Sequence, residues 1–231
     1  MTSIAGIPNS APALDFLTGL LDAPLPARRE MARAGLTVKA PGDALERLIG
    51  LGLSSIQDAT AKLRAGGSVA TWRREMERAI ATQHQAAYLA ATAQRLKVPL
   101  DSPLLSRARL SRAERADIAA AVRGQLQYLD RFAAEVAAGR LTPAQAAARA
   151  NLYGQAIKPF YYAQRWGDWE IPDSLIPGNQ QCLGNCKCFI SVADNGDGTG
   201  TLTRTMGGTE HHCSECPGLV GDHPIKRRGK A

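Results

Sequence analysis

The residues of this chain best suited to chemistry fall in two short clusters, Cys182-x3-Cys186-x-Cys188 and His211-His212-Cys213-x2-Cys216. Thiolates and imidazoles grouped in this way are the donors that tetrahedral Zn²⁺ takes. Cys213 and Cys216 are the surest pair, because x2 spacing lets two sulfurs face one ion. The other pair is drawn from Cys182, Cys186 and Cys188, with Cys182 and either Cys186 or Cys188 favoured, and His212 stands as a substitute ligand. An ion closed in by four protein groups has no position open to water, so the expected zinc is structural.

Other readings of the cysteines are weaker. A secreted disulfide module would want a leader and an even number of cysteines, and neither is seen. Reduced cysteines without a ligand are usually scattered and buried, whereas these are clustered among glycines and charges. A catalytic thiol would want a separate histidine and acid, which the sequence does not arrange. The run Asp194-Asn195-Gly196-Asp197-Gly198 has Gly198 at the fifth position and Thr205 at the twelfth, so it fails as a calcium loop and reads as a turn.

The elements that position these residues follow from the pattern of the chain. Phe189-Ile190-Ser191-Val192 and Thr201-Leu202-Thr203-Arg204-Thr205 alternate as strands do, and two Asx-Gly turn signals lie between them. A hairpin here brings the two clusters together at its open end and accounts for the 24 residues that separate Cys188 from Cys213. Upstream the chain is helical. Ser68 caps a long helix whose stripe runs Val69, Trp72, Met76, Ile80, His84, Ala87 and Ala91. On that stripe His84 reads as a core-edge residue, not a ligand.

Ser111 and Glu114 form a capping box that opens a second helix, with Ile118, Val122, Leu126, Leu129, Phe132 or Ala133, and Val136 on one face and Gly139 as its stop. Thr142 and Pro143 start a third, carrying Ala146, Ala150, Leu152, Tyr153, Ile157 and Phe160. The short link at 139–141 makes the last two antiparallel neighbours. Tyr153, Phe160, Tyr161, Tyr162, Trp166 and Trp169 could stack on bases, but packing between the bundle and the Cys-rich segment is the better reading.

Apolar residues make up 45% of the 231, aromatics only 5%, and alanine is frequent, a composition that leans helical and excludes collagen, a disulfide miniprotein and a wholly disordered chain. The longest internal charge-free run, 79–94, is interrupted by Thr, Gln and His, so no membrane span is expected. With no basic-then-apolar leader, the expectation is a soluble, cytosolic product. The net charge of +7 is diffuse, with 22 basic against 16 acidic residues before position 177 and 6 against 5 from there on. Such a balance tolerates a polyanion nearby without making a nucleic-acid site.

The expected fold is mainly α, a helical bundle with a small C-terminal zinc-stabilised β-hairpin module. Its parts are a Pro-rich arm with short helices over 1–66, the bundle over 67–170, the Cys-rich zinc hairpin over 171–220 and a basic tail over 221–231. Within 43–65 the arm reads as a helical hairpin or two short helices.

The helix with Trp72, Met76, Ile80, His84, Ala87 and Tyr88 resembles the opening helix of the Mu F-like phage head morphogenesis (minor capsid) proteins. The segment from Gln125-Leu126-Gln127-Tyr128-Leu129 through Gly139-Arg140-Leu141-Thr142 to Asn151-Leu152-Tyr153 is similar to their second helical pair. Cys182-Leu183-Gly184-Asn185-Cys186-Lys187-Cys188 and His212-Cys213-Ser214-Glu215-Cys216 look like the Cys-rich ending of many members. The resemblance spans roughly 68–220. It implies a non-enzymatic virion component associated with the portal vertex, acting in head assembly or genome delivery. Its implied partners are portal and capsid proteins, with packaged DNA nearby and no membrane.

Two other functions compete. One is a sequence-tolerant DNA-binding protein that uses the zinc module and Lys226, Arg227, Arg228 and Lys230. The other is a zinc hydrolase or nuclease, which needs an open metal position and a carboxylate base such as Glu210 or Glu215.

Overall fold

The computed structural model describes residues 44–98, 111–180, 188–207 and 213–229. Helix α1, Ala44–Arg64, buries Leu45, Leu48, Ile49, Ile56, Ala59 and Leu63 along one side. It is one continuous helix, not a hairpin or two short pieces, and it packs on α2 and α5 as part of the bundle. Gly66, at φ 91°, turns the chain out of it.

Helix α2, Val69–Leu96, starts where Ser68 Oγ accepts the Thr71 amide at 3.4 Å. Trp72, Met76, Ile80, His84, Ala87 and Ala91 are all buried, as their spacing predicts, whereas Val69, in the first turn, is exposed. From Ile80 onward the burial widens to Ala81, Gln83, Gln85, Ala86, Tyr88 and Ala90, which makes α2 the central helix, covered on most sides. Its alanines let neighbours approach closely.

The capping boxes form as read. Ser111 Oγ accepts the Glu114 amide at 3.2 Å and Glu114 Oε2 accepts the Ser111 amide at 2.7 Å, opening α3, Arg112–Leu126. Thr142 and Gln145 exchange the same pair of bonds at the start of α5, Pro143–Gln155, with Pro143 in its first turn. Both long helices divide, however. The second breaks after Leu126 and resumes as α4, Leu129–Ala137; the third breaks after Gln155 and resumes as α6, Lys158–Arg165. In the latter Pro159 sits in the first turn, where its missing N–H and its bulk are tolerated; inside one long helix they would not be.

One core lies among α1, α2, α3, α4 and α5. There Trp72 meets Phe132 edge-on at 5.6 Å, and Phe132 stacks on Tyr153 at 5.8 Å. Charge pairs lie at its rim: Arg73 with Asp130, and Arg149 with Glu135.

The second core overturns the expected module. Strands β1 (Trp169–Glu170), β2 (Phe189–Asp194), β3 (Thr199–Thr205) and β4 (Gly221–Arg227) form one antiparallel sheet in the order β1-β4-β3-β2. The hairpin β2–β3 is present, with Phe189 opposite Thr205, but it is half of a four-stranded sheet. Trp169, Ile190, Leu202 and Ile225 point from the sheet into the cluster that holds Leu45, Leu48, Ala87, Ala90, Ile157 and Tyr161 of the helices. Each such side chain contributes about 1.5–3 kcal/mol on burial. The sheet therefore draws its stability from an apolar face shared with the bundle, and among the described residues no group of three or more His, Cys, Asp or Glu is placed to hold a metal ion. A small hairpin module held together by zinc is not this fold.

Residues 221–227, read as the beginning of a basic tail, are strand β4, placed between β1 and β3. Among the described residues no helix is long and apolar enough to cross a membrane.

Candidate thiol site

The loop between β2 and β3 is built by side chains that cap their own backbone. Asp194 Oδ1 accepts the Gly196 amide at 3.0 Å, and Asp197 Oδ1 accepts the Thr199 amide at 2.9 Å. Gly196 and Gly198, at φ 87° and 85°, supply the left-handed turns. These carboxylates act as turn residues, as the Asx-Gly pattern predicts.

At the other end of the hairpin, Cys188 precedes β2 and Cys213 and Cys216 follow β3. Cys188 and Cys216 are buried and form a small cluster with Cys213 and Met206. All three are thiols, not disulfides, and the Cys213 thiol reaches Cys216 Sγ at 3.2 Å. The hairpin thus brings three of the five cysteines together. Cys182, Cys186 and His212, with His211, lie outside the described residues, as does Lys230. The three described thiols alone do not make a coordination group.

The residue that sequence reasoning missed here is Arg204. It stands in β3 two positions after Leu202 and faces the same way, so its side chain enters the protein and is 1% exposed. Its Nη1 donates to the carbonyls of Ser174 (3.2 Å) and Leu175 (2.8 Å), and its Nη2 to Gln180 Oε1 (2.8 Å) and Cys216 Sγ (3.7 Å). Gln180, also buried, donates back to the carbonyls of Ser174 (2.7 Å) and Ile176 (2.9 Å). Strand parity was the available signal: in Leu202-Thr203-Arg204 the outward threonines place Arg204 with the leucine.

Of the proposed DNA contacts, Lys226 is exposed on β4. Arg227 pairs with Asp194 and lies 5.1 Å over the Trp169 ring. Arg228 donates from Nε to the Trp169 carbonyl at 3.0 Å and from its amide to the Asp168 carbonyl at 2.8 Å. Two of these cations therefore fasten β1 and the β2–β3 loop to β4, which gives them a role inside the protein.

His84 is a core residue. Its Nδ1–H donates to the Ile80 carbonyl at 2.9 Å, which leaves Nε2 to accept from Gln125 Nε2 at 3.0 Å. Burial pushes its pKa down to about 4. Tyr161, Tyr162 and Trp169 pack in the core between helices and sheet.

A groove of about 300 Å³ between α1 and α2 is lined by Asp58, Lys62, Glu75, Arg78 and Gln83. It carries both signs of charge and is spanned by the Lys62–Glu75 pair at 3.3 Å. No family model matches the chain, and no curated protein or solved structure matches it either.

Proposed function

We propose that this chain is a structural, non-enzymatic component of a phage head, associated with the portal vertex and acting in head assembly or genome delivery. Portal and capsid proteins are its partners, and the packaged DNA lies close by. The observation that supports this reading is the gathering of Cys188, Cys213 and Cys216 beyond the helices, in keeping with the sequence resemblance, which rests on helices followed by a Cys-rich ending.

In this reading the thiols hold a structural Zn²⁺. The donor set suits that ion: soft sulfurs, two of them buried, with an x2 pair. The 3.2 Å between Cys213 and Cys216 compares with about 3.8 Å between two vertices of a tetrahedral zinc–thiolate site, so a small side-chain rotation opens the pair to the ion. Cys188 is the third donor, and Cys182, Cys186 or His212 completes the set.

The test is twofold. Purified full-length protein should contain one zinc per chain, and it should co-sediment with heads or copurify with portal when the phage structural genes are expressed together. Protein free of zinc under reducing conditions would sink the metal reading. Absence from purified particles would sink the virion reading.

A further inference from the structure

The groove between α1 and α2 opens where the facing residues are small: Gly52 and Ser55 on α1, Ala79, Thr82 and Ala86 on α2. The helices run antiparallel, with Lys62 beside Glu75 and Leu48 beside Gln83, so the character of the groove changes along its length. The Lys62–Glu75 pair closes one end. Asp58 and Arg78 come next, both exposed, and among the described residues neither has an ion-pair or hydrogen-bond partner. Leu48, Ala86 and Gln83 line the far end.

Gln83 is only 4% exposed, and its amide nitrogen is committed: Nε2 donates to the Gly154 carbonyl at 2.8 Å and the Leu48 carbonyl at 3.4 Å. Those two acceptors fix which atom of the carboxamide is the oxygen. That oxygen, Oε1, is buried and has no hydrogen-bond partner. The carboxamide lies over Gly52, where a Cβ would stand 2.2 Å from Cδ and 2.6 Å from Oε1. Helix α1 thus gives up a side chain to admit an acceptor at the groove floor, and the acceptor receives nothing. A buried acceptor left open is destabilising, and a donor entering from the groove relieves it.

The occupant follows from these groups. An unpaired carboxylate and an unpaired guanidinium in one groove match the two charges of a zwitterion. Five residues of α2, about 7.5 Å along the axis, separate Arg78 from Gln83, so a donor for Oε1 must sit on a tail extending from the charged head. The tail is uncharged, because Leu48 and Ala86 offer a charge no solvation. We propose that this groove binds a free α-amino acid with a carboxamide side chain of the length of glutamine. Its α-ammonium lies on Asp58, its α-carboxylate on Arg78, and its side-chain N–H donates to Gln83 Oε1. Because Oε1 lies below the groove floor, binding tilts the Gln83 carboxamide outward about its shorter bond, the one to Gly154. The groove volume of about 300 Å³ falls at the small end of ligand sites. The site is independent of the thiols and of the portal-vertex reading.

The experiment is calorimetric titration of the full-length protein with L-glutamine, L-methionine and L-glutamate. Methionine matches glutamine in head and length but has no N–H donor on its tail; glutamate turns a charged oxygen toward Oε1. Glutamine should bind at one site per chain, and the other two more weakly by about tenfold or more, the effect of leaving a buried acceptor unpaired. Asp58→Asn and Arg78→Gln remove exposed charges that have no partner to lose, so both keep the wild-type circular dichroism signal. Each should weaken glutamine binding by about tenfold.

No heat and no rise in Tm with millimolar glutamine overturns the proposal. Methionine binding as tightly as glutamine also overturns it, because Gln83 Oε1 would then not be read. Unchanged glutamine affinity in either charge variant overturns the placement of the head group, and the proposal with it.

Discussion

The Trp169 ring fills the space that a side chain at Gly200 would need: a Cβ there would stand 2.6 Å from Trp169 Cζ3 and 2.9 Å from the Ala193 carbonyl oxygen. Gly200 faces inward on β3, opposite Ile225 of β4, so the bare backbone is what lets the β1 tryptophan reach across the sheet. Gly200→Ala should therefore destabilise the protein by about 1–3 kcal/mol, the usual cost of overpacking. Urea unfolding followed by tryptophan fluorescence measures it; an unchanged midpoint would mean that Trp169 packs elsewhere.

His84 sets a pH dependence. Burial holds its pKa at about 4 in the folded chain, against an ordinary 6.5, so between those values the unfolded chain takes up a proton that the folded one refuses. The contribution is fully present above about pH 6.5 and is lost as pH falls toward 4, amounting to about 3 kcal/mol. Thermal unfolding should show a Tm that declines across that window. In His84→Gln the decline should be shallower.

The start of α3 carries a second pH-sensitive group. Burial raises the Glu114 pKa, but bonds from Tyr88 Oη and from Ser111 outweigh it and hold the carboxyl below its usual value. That stabilisation is present above about pH 4.5, the ordinary value of the carboxyl, and is lost as pH falls through the lowered one. Ser111→Ala removes half of the capping box and should cost about 1 kcal/mol in urea unfolding. Burial and the Glu114 bond together push the Tyr88 hydroxyl up to about 12.

On the proposed zinc reading, Cys213→Ser loses the metal that the wild type takes up while retaining the helical circular dichroism signal, since the helices have a core of their own around Trp72 and Phe132. Metal analysis of the variant decides it, and a full complement of zinc would remove Cys213 from the ligand set.

Local signals in the sequence proved legible. Ser68, Ser111 and Thr142 start helices because each satisfies an orphan amide through its own side chain, and the Asx-Gly loop folds from contacts within five residues. Tertiary choices were less visible. Strand β4, Gly-Asp-His-Pro-Ile-Lys-Arg, buries only Ile225, and Pro224 lies beyond the reach of β1, so nothing in its composition announces a strand. No Gly or Pro marks the break at Gln127–Tyr128. Pro159 did mark the other break, but a continuous apolar stripe masked it. The approach of Cys188 to Cys213 and Cys216 was legible from the hairpin between them, whereas Arg204 depended on which face of β3 the core would take.

Strand β4 comes last among the strands and is the one that joins β1 to β3: Trp169 meets Arg227, and Leu202 meets His223. During synthesis the helices can settle while the ribosome is still making the sheet. Trp169 then waits for a neighbour 58 positions downstream, and the alanine face of the central helix stays wet until that neighbour has emerged.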